Sequence, residues 1–220
     1  VIRGGDGRDT LSYSEAPGGV IVVLHNGQTG GVAAGDTLSG IEAVIGSEGK
    51  DTLGGTVGDD WLDGAGGIDS IAGFAGNDTL VGGSGTNAIL GGPGDDLIVG
   101  GIHTEYLDGG SGNDTIIAST GWDTMWGGTG NDLYEVSSLN QVVIEVANAG
   151  DDTVTSNSSW VMRPNIEWLI LLPAAGDRYA IGNTGNDRIV GNDGANLLIG
   201  QAGDDTIWGG GGNDRMQGRA

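Results

Sequence analysis

No cysteine occurs in the 220 residues, so disulfides contribute nothing to the fold, although this absence does not fix the compartment. Basic residues are scarce: 8 Lys and Arg stand among 30 Asp and Glu, for a formal charge of −22. So few positive charges cannot form a phosphate-neutralising stripe, which excludes nucleic acid as a partner. No apolar run approaches the ~18 residues needed to span a membrane. There is no HExxH and no GxSxG, and the two histidines, His25 and His103, lie far apart on unrelated turns. Catalysis is therefore not expected of this stretch. A helical pattern is missing, and the glycine content opposes one. No leader is visible. The chain opens inside a repeat, not at a Met, and closes inside another at Gly218-Arg219-Ala220, which reads as a piece of a longer protein.

Glycine is what the chain has most of, 48 residues against the ~7% of ordinary proteins. It does not follow the three-residue period of collagen. Its period is nine. From Gly46 to Glu135 ten units run without a slip, beginning at 46, 55, 64, 73, 82, 91, 100, 109, 118 and 127. The clearest reads Gly109-Gly110-Ser111-Gly112-Asn113-Asp114-Thr115-Ile116-Ile117, on the template G-G-x-G-x-D-x-U-x, with U a large apolar residue. Glycine at positions 1, 2 and 4 permits positive φ and leaves carbonyls uncovered. Asp at position 6 adds a carboxylate. Such oxygens suit a hard cation that takes six to eight oxygen ligands, namely calcium. Position 8 points inward from a three-residue strand. It holds Leu53, Leu62, Ile71, Leu80, Ile89, Ile98, Leu107, Ile116, Met125 and Tyr134, the pattern of a thin stacked core. That regularity argues against the disorder that charge and glycine content would otherwise suggest.

Two units make one coil of eighteen residues, so alternate units stack in one row, with coils about 4.8 Å apart. The rows differ. The row starting at 55 carries Asp60, Asp78, Asp96, Asp114 and Asp132 at position 6, with only Asp or Asn at position 5. The other carries Asp51, Asp69, Asn87, Glu105 and Asp123, preceded by Lys50, Ile68, Thr86, Thr104 and Trp122. One edge is a complete row of sites and the other is eroded. Carboxylates one coil apart repel by about 3 kcal/mol at an effective dielectric of 20, so a full row needs a counter-charge. Folding is expected to depend on calcium, which should fill the first edge and only patches of the second.

Residues 1–45 hold one repeat, Gly4 to Ser12, then an interruption. Gly19 to Leu24 reads as a strand, His25-Asn26-Gly27 as a turn, and Asp36 to Glu42 as the way back. It is expected to form a wide coil or an edge flap. Residues 136–181 form a second interruption, with strands expected over 142–146, 160–162 and 166–172. Within it, Ala147 to Val154 resembles a repeat, with Asp152 at position 6, but starts twenty residues after its row neighbour. Ile166-Glu167 echoes Ile41-Glu42. Residues 182–220 are a second array, with Asp187, Asn196, Asp205 and Asp214 at position 6 and Ile189, Leu198, Ile207 and Met216 inward. The whole reads as one elongated domain.

The phased nonapeptides resemble the RTX (repeats-in-toxin) family of type I-secreted bacterial proteins, and the interruptions resemble breaks between RTX blocks, including those of serralysin-like proteases. The resemblance implies an all-β, calcium-stapled parallel β-roll, a β-solenoid of stacked repeats with two β-strand interruptions. It also implies which atoms bind. One turn offers carbonyls 2 and 4 and its position-6 carboxylate; the next in the row offers carbonyls 1 and 3 and its own carboxylate. Carried over, Thr56, Gly58 and Asp60 face Gly73, Ala75 and Asp78, and Phe74, Gly76 and Asp78 face Gly91, Pro93 and Asp96. Gly92, Gly94 and Asp96 face Gly109, Ser111 and Asp114, and Gly110, Gly112 and Asp114 face Gly127, Thr129 and Asp132. Gly128, Gly130 and Asp132 face Ala147, Ala149 and Asp152. On the other row Ser47, Gly49 and Asp51 face Gly64, Gly66 and Asp69; farther along, Asn87, His103 and Glu105 depart from the pattern. In the last block Asn183, Gly185 and Asp187 face Gly200, Ala202 and Asp205.

Three functions fit this reading. The first is a non-catalytic calcium-binding module of a secreted protein, passed through a type I secretion channel and folded outside the cell. The second is a structural or adhesive surface-layer or filament protein. The third is the accessory region of a secreted protease, lipase or alginate epimerase. Trp61, Trp126 and Trp208 fall at outward strand positions and Trp122 at a turn tip, where they could meet glycan, another subunit or the interruptions themselves.

Overall fold

A nine-residue unit with one inward side chain cannot bury that side chain alone. It must turn through its glycines and lay the next strand against a second sheet. In the computed structural model, which describes residues 1–218, the chain does this throughout. Arg219 and Ala220, the end of the last repeat-like stretch, lie outside the described residues. The architecture is an all-β solenoid of parallel strands, with two single 3₁₀ turns at Leu24–Asn26 and Pro173–Ala175.

One sheet runs through eleven strands, from Thr10–Ser12 to Thr206–Trp208, and crosses both interruptions without a break. The facing sheet is divided. Eight strands end at Val142–Ile144, and four more run from Trp160–Val161 to Arg215–Gly218. At the division a cavity of about 460 Å³ is lined by Leu139, Gln141, Trp160, Met162 and Arg163 among others. Registers in the array pair residues eighteen apart, as in Leu80 with Ile98 and Ile98 with Ile116. The ten inward residues from Leu53 to Tyr134 are all at most 1% exposed, so the thin core is continuous.

Several strands are longer than positions 7 to 9. Tyr106–Ser111 and Thr124–Thr129 carry their ladder through the following glycine pair, Gly110 on Gly128. The glycines thus act as strand as well as turn. Met216, expected inward, is 54% exposed, because among the described residues no further coil packs beyond its strand. Tyr179–Ile181 is a strand that the sequence reading missed, although Ala180 stands eighteen residues before Leu198, with which it pairs.

The first interruption is both a wide coil and a flap. Val20–Val23 joins the roll beside Thr52–Gly54, and Gln28–Gly31 folds back on it antiparallel as an outer edge. Gly27, at φ 67, closes the turn between them. In the second interruption the expected strands are shorter than read: Val142–Ile144, Trp160–Val161 and Trp168–Leu171.

Candidate metal centre

Along the unbroken sheet, every strand is preceded by a carboxylate: Asp9, Glu42, Asp60, Asp78, Asp96, Asp114, Asp132, Asp152, Glu167, Asp187 and Asp205. Most of these side chains are buried, with Asp60, Asp78, Asp114, Asp132, Asp152 and Asp187 each 1% exposed. From Asp78 to Asp152 one oxygen of each is used in the stack, whereas Asp60 and Asp187 accept within their own units, from Thr56 and Asn183. The Asp60 N–H donates to Asp78 Oδ1 at 2.8 Å, Asp78 to Asp96 at 2.7 Å, Asp96 to Asp114 at 2.8 Å, Asp114 to Asp132 at 2.8 Å and Asp132 to Asp152 at 2.8 Å. Both interruptions splice into this ladder through their Ile-Glu pairs. Asp9 N donates to Glu42 Oε2 at 3.0 Å, and Asp152 N to Glu167 Oε2 at 2.8 Å. The echo seen in the sequence is thus the device that returns each interruption to the row.

The second oxygen has no partner. Oδ2 of Asp78, Asp96, Asp114, Asp132, Asp152 and Asp205 is buried and accepts no hydrogen bond, as is Oδ1 of Asp60 and of Asp187. An orphaned carboxylate oxygen is among the costlier things a fold can bury. Burial comes first in raising Asp60, Asp78, Asp96, Asp114, Asp132, Asp152 and Asp187 above the ordinary carboxylate range. Asp78, Asp114 and Asp187 rise to about 7, and Asp96 and Asp152 to about 6; neighbouring carboxylates add to the rise and backbone N–H donors oppose it.

Carbonyls converge on the same gaps. A Cβ built on Gly92 would land on the Phe74 carbonyl oxygen, on Gly110 upon that of Gly92, and on Gly128 upon that of Gly110. The position-4 glycines repeat this, Gly94 over Gly76, Gly112 over Gly94 and Gly130 over Gly112. Carbonyls 2 and 4 therefore face the next coil. A Cβ on position 1 would meet the unit's own Asp Oδ2 and the next coil's position-1 carbonyl, as at Gly55 with Asp60 and Gly73, both at 2.5 Å. Position-3 carbonyls already accept one bond, Pro93 from Gly76 N at 3.0 Å and Ser111 from Gly94 N at 2.8 Å, which leaves each a second lone pair. Hard oxygens facing an orphaned carboxylate are the donor set of a calcium site, and the residues present fit one.

Position 5 has a role that the sequence reading missed. Asn77 N donates to Asp59 Oδ1 at 2.8 Å, Asp95 N to Asn77 Oδ1 at 2.9 Å, Asn113 N to Asp95 Oδ1 at 2.6 Å and Asn131 N to Asn113 Oδ1 at 2.9 Å. This outer ladder runs opposite to the inner one. Its signal was visible: position 5 of this row is Asp or Asn without exception in the array.

The other edge differs in kind. Asp51 is fully satisfied, by Val20 N at 2.7 Å, Ser47 N at 2.6 Å and Ser47 Oγ at 2.9 Å. Its row neighbour Asp69 keeps an orphaned Oδ2 and rises to about 7, chiefly by burial. Asn87 accepts from Asp69 N at 2.9 Å and donates its amide to the Gly85 carbonyl at 3.3 Å. Gln141 donates to Asp123 Oδ2 at 2.8 Å and to the Ser119 carbonyl at 3.2 Å. Asn196 likewise donates to the Gly176 carbonyl at 3.3 Å. Glu105, like Asp69, is an exception. Both its oxygens are unpartnered, and burial with the nearby Asp123 pushes it up to about 8. His103 is exposed, and its ring Nδ1 accepts from Gly85 N at 3.2 Å.

Two of the outward tryptophans lie against aromatic neighbours. Trp126 lies 4.3 Å from Tyr106, and Trp208 is parallel to Trp168 at 6.4 Å, with Arg188 over the Trp168 face. Trp122, at its turn tip, is 68% exposed.

A family model described as RTX calcium-binding nonapeptide repeat (4 copies) matches residues 1–14, 36–71, 72–102, 99–134 and 181–216, more than half of the chain. The internal stretches left out, 15–35 and 135–180, correspond to the two interruptions. A search of curated proteins finds no match.

Proposed function

The chain belongs to the RTX calcium-binding nonapeptide repeat family, and we propose that it is the calcium-binding module of a secreted bacterial protein, one elongated domain that folds on binding calcium outside the cell. Modules of this family are non-catalytic in general. No helix among the described residues is long and apolar enough to cross a membrane. The observation that carries the reading is the row of buried, unpartnered carboxylate oxygens on one edge.

In this reading calcium supplies the counter-charge those oxygens lack. The residues that hold it are the sets named from the sequence, in the gaps from Asp60 to Asp152, between Asp187 and Asp205, and between Asp51 and Asp69. Carbonyls 2 and 4 of one turn and 1 and 3 of the next complete each set, with Thr56, Gly58, Ala75, Pro93, Ser111, Thr129, Ala147, Ala149, Asn183, Gly185, Gly200 and Ala202 among them. Where calcium is scarce, as in a bacterial cytosol, the repelling row keeps the chain unfolded and able to pass a type I secretion channel. An activity of the parent protein, whether protease, lipase or epimerase, would lie outside these residues. Exposed Trp122 and Trp208 support a second reading, adhesion to glycan or to another copy.

A calcium titration followed by far-ultraviolet circular dichroism and light scattering tests both. Extracellular calcium modules respond at about 10⁻⁴ to 10⁻³ M. Cooperative gain of β signal with compaction of a monomer supports the module. Growth of the particle supports assembly, and no change defeats the coupling of calcium to folding.

A further inference from the structure

One gap in the acidic row is unlike the rest. Between Asp132 and Asp152 the coil is twenty residues long, and the two extra residues are Glu145 and Val146. The ladder of the facing sheet stops just before them. Thr124–Thr129 pairs with Val142–Ile144 only as far as Trp126 on Ile144, whereas the preceding pair continues through Gly110 on Gly128. The insertion turns Val146 out, 56% exposed, and Glu145 in, 8% exposed.

Glu145 is thereby brought beside a place that its row fills elsewhere with a glycine carbonyl. Above Gly55, Gly73, Gly91 and Gly109 the position-1 carbonyl of the next coil is among the nearest atoms; above Gly127 its place is taken by Tyr134 Oη. That hydroxyl donates to Glu145 Oε1. Tyr134 is the one residue with a polar tip in the inward column of the array, and here the tip fixes a carboxylate. One oxygen each from Asp132, Glu145 and Asp152 lies within 4.8 Å of the others, all three residues buried. Oδ2 of Asp132 and of Asp152 accepts no hydrogen bond, with each residue 1% exposed.

Resting on the calcium-binding reading above, we propose that Glu145 completes a three-carboxylate cation site with Asp132 and Asp152, which binds calcium more tightly than the gaps between ordinary repeats. The chemistry is direct. The insertion adds a third anionic oxygen to the two carboxylates of an ordinary gap, and affinity of oxygen sites for calcium rises with the number of charged ligands. Tyr134 Oη orients the added carboxylate from behind, as outer partners of metal ligands do. The site lies where the facing sheet ends, so its ion also ties the lengthened coil back into register.

Calorimetric titration of the full chain with calcium, for wild type, E145Q and D96N, tests this. Wild type is expected to bind one ion about tenfold or more tighter than the others. E145Q, whose amide oxygen still accepts from Tyr134, loses that tight class and keeps the ordinary one. D96N loses ordinary sites and keeps the tight class. A tight class that survives E145Q, or a wild type with one uniform class, overturns the proposal. A wild type that binds no calcium overturns the calcium-binding reading itself. Should E145Q fail to fold, the wild type decides. Crystals given one terbium per chain carry their strongest anomalous peak between Asp132 and Asp152, and a strongest peak in any other gap overturns the proposal.

Discussion

Along one edge of the roll eleven strands in succession are preceded by Asp or Glu. Along the other, the same places hold Gly19, Asp51, Asp69, Asn87, Glu105, Asp123, Gln141, Ser159, Arg178, Asn196 and Asp214. The turns are alike, yet the electrostatics differ. The acidic edge leaves an oxygen without a donor at nine of its eleven carboxylates. The mixed edge supplies donors of its own, the amide of Asn87 to Gly85 and that of Gln141 to Asp123. A neutral amide that accepts with one atom and donates with the other does within the chain what an ion does between carboxylates. Loss of Asp from a repeat is thus, at these places, replacement of an external staple by an internal one.

The comparison is broken most sharply by moving amides to the acidic edge. D78N/D96N/D114N is expected to abolish the calcium-induced β signal at millimolar calcium, because two adjacent gaps lose both carboxylates and the gaps on either side lose one each. D123N, on the mixed edge, should cost only about 1 kcal/mol in calcium-saturated thermal melts, the worth of one altered hydrogen bond. Equal effects would mean that the edges do not differ.

Stacking at the acidic edge is tested by Gly112→Ala. The added Cβ lands on the Gly94 carbonyl at φ 126, so a cost of about 3 kcal/mol is expected in the same melts. Gly58→Ala meets nothing nearer than Thr56 Oγ1 at 3.9 Å and should be close to neutral. Similar losses at both positions would refute the close approach of the carbonyls.

Acidity should act on the same edge. Without calcium, the folded row holds Asp78, Asp114 and Asp187 at about 7, well above the ~3.9 of an unfolded Asp. The folded state then binds more protons than the unfolded one between about pH 4 and 7, so its stability falls as pH rises through that window. The penalty is absent below about pH 4 and complete above about pH 7. Chelated protein should therefore gain β signal as pH is lowered from 8 to 5. With calcium present, the binding midpoint should move to higher calcium over the same descent, and binding near pH 7 should release protons. A midpoint independent of pH would contradict the raised values.

The smallest change converts the mixed edge toward the acidic one. Asn87→Asp places a charge between Asp69, whose Oδ2 is orphaned, and Glu105, whose oxygens are both unpartnered. One additional calcium per chain is expected by calorimetry. An unchanged count would show that carbonyl placement, and not charge, decides which gaps bind.

The roll itself was legible because its signal is periodic. Ten inward residues in phase name both the strands and the core, and all ten are buried. The asymmetry of position 6 was legible for the same reason. What escaped was whatever the period does not carry. The strand Tyr179–Ile181 was masked by its small inward residue, Ala180. The position-5 ladder was present in the residue types but acquires meaning only when coils are stacked. Glu145 was hidden because it belongs to no repeat. The twenty-residue spacing was visible, but not that its two extra residues would turn one carboxylate into the row. Met216 failed for the opposite reason: its periodic place is inward, yet burial needs a neighbouring coil as well as a position.

The contrast between the edges is tested most directly by a crystal structure of the calcium-loaded chain, with ions located by their anomalous scattering. Consecutive peaks are expected in the gaps from Asp60 to Asp152, with further peaks between Asp187 and Asp205 and between Asp51 and Asp69, and none where Asn87, Gln141 or Asn196 supplies an amide. Equal occupancy along both edges, or an acidic row without ions, would contradict the contrast.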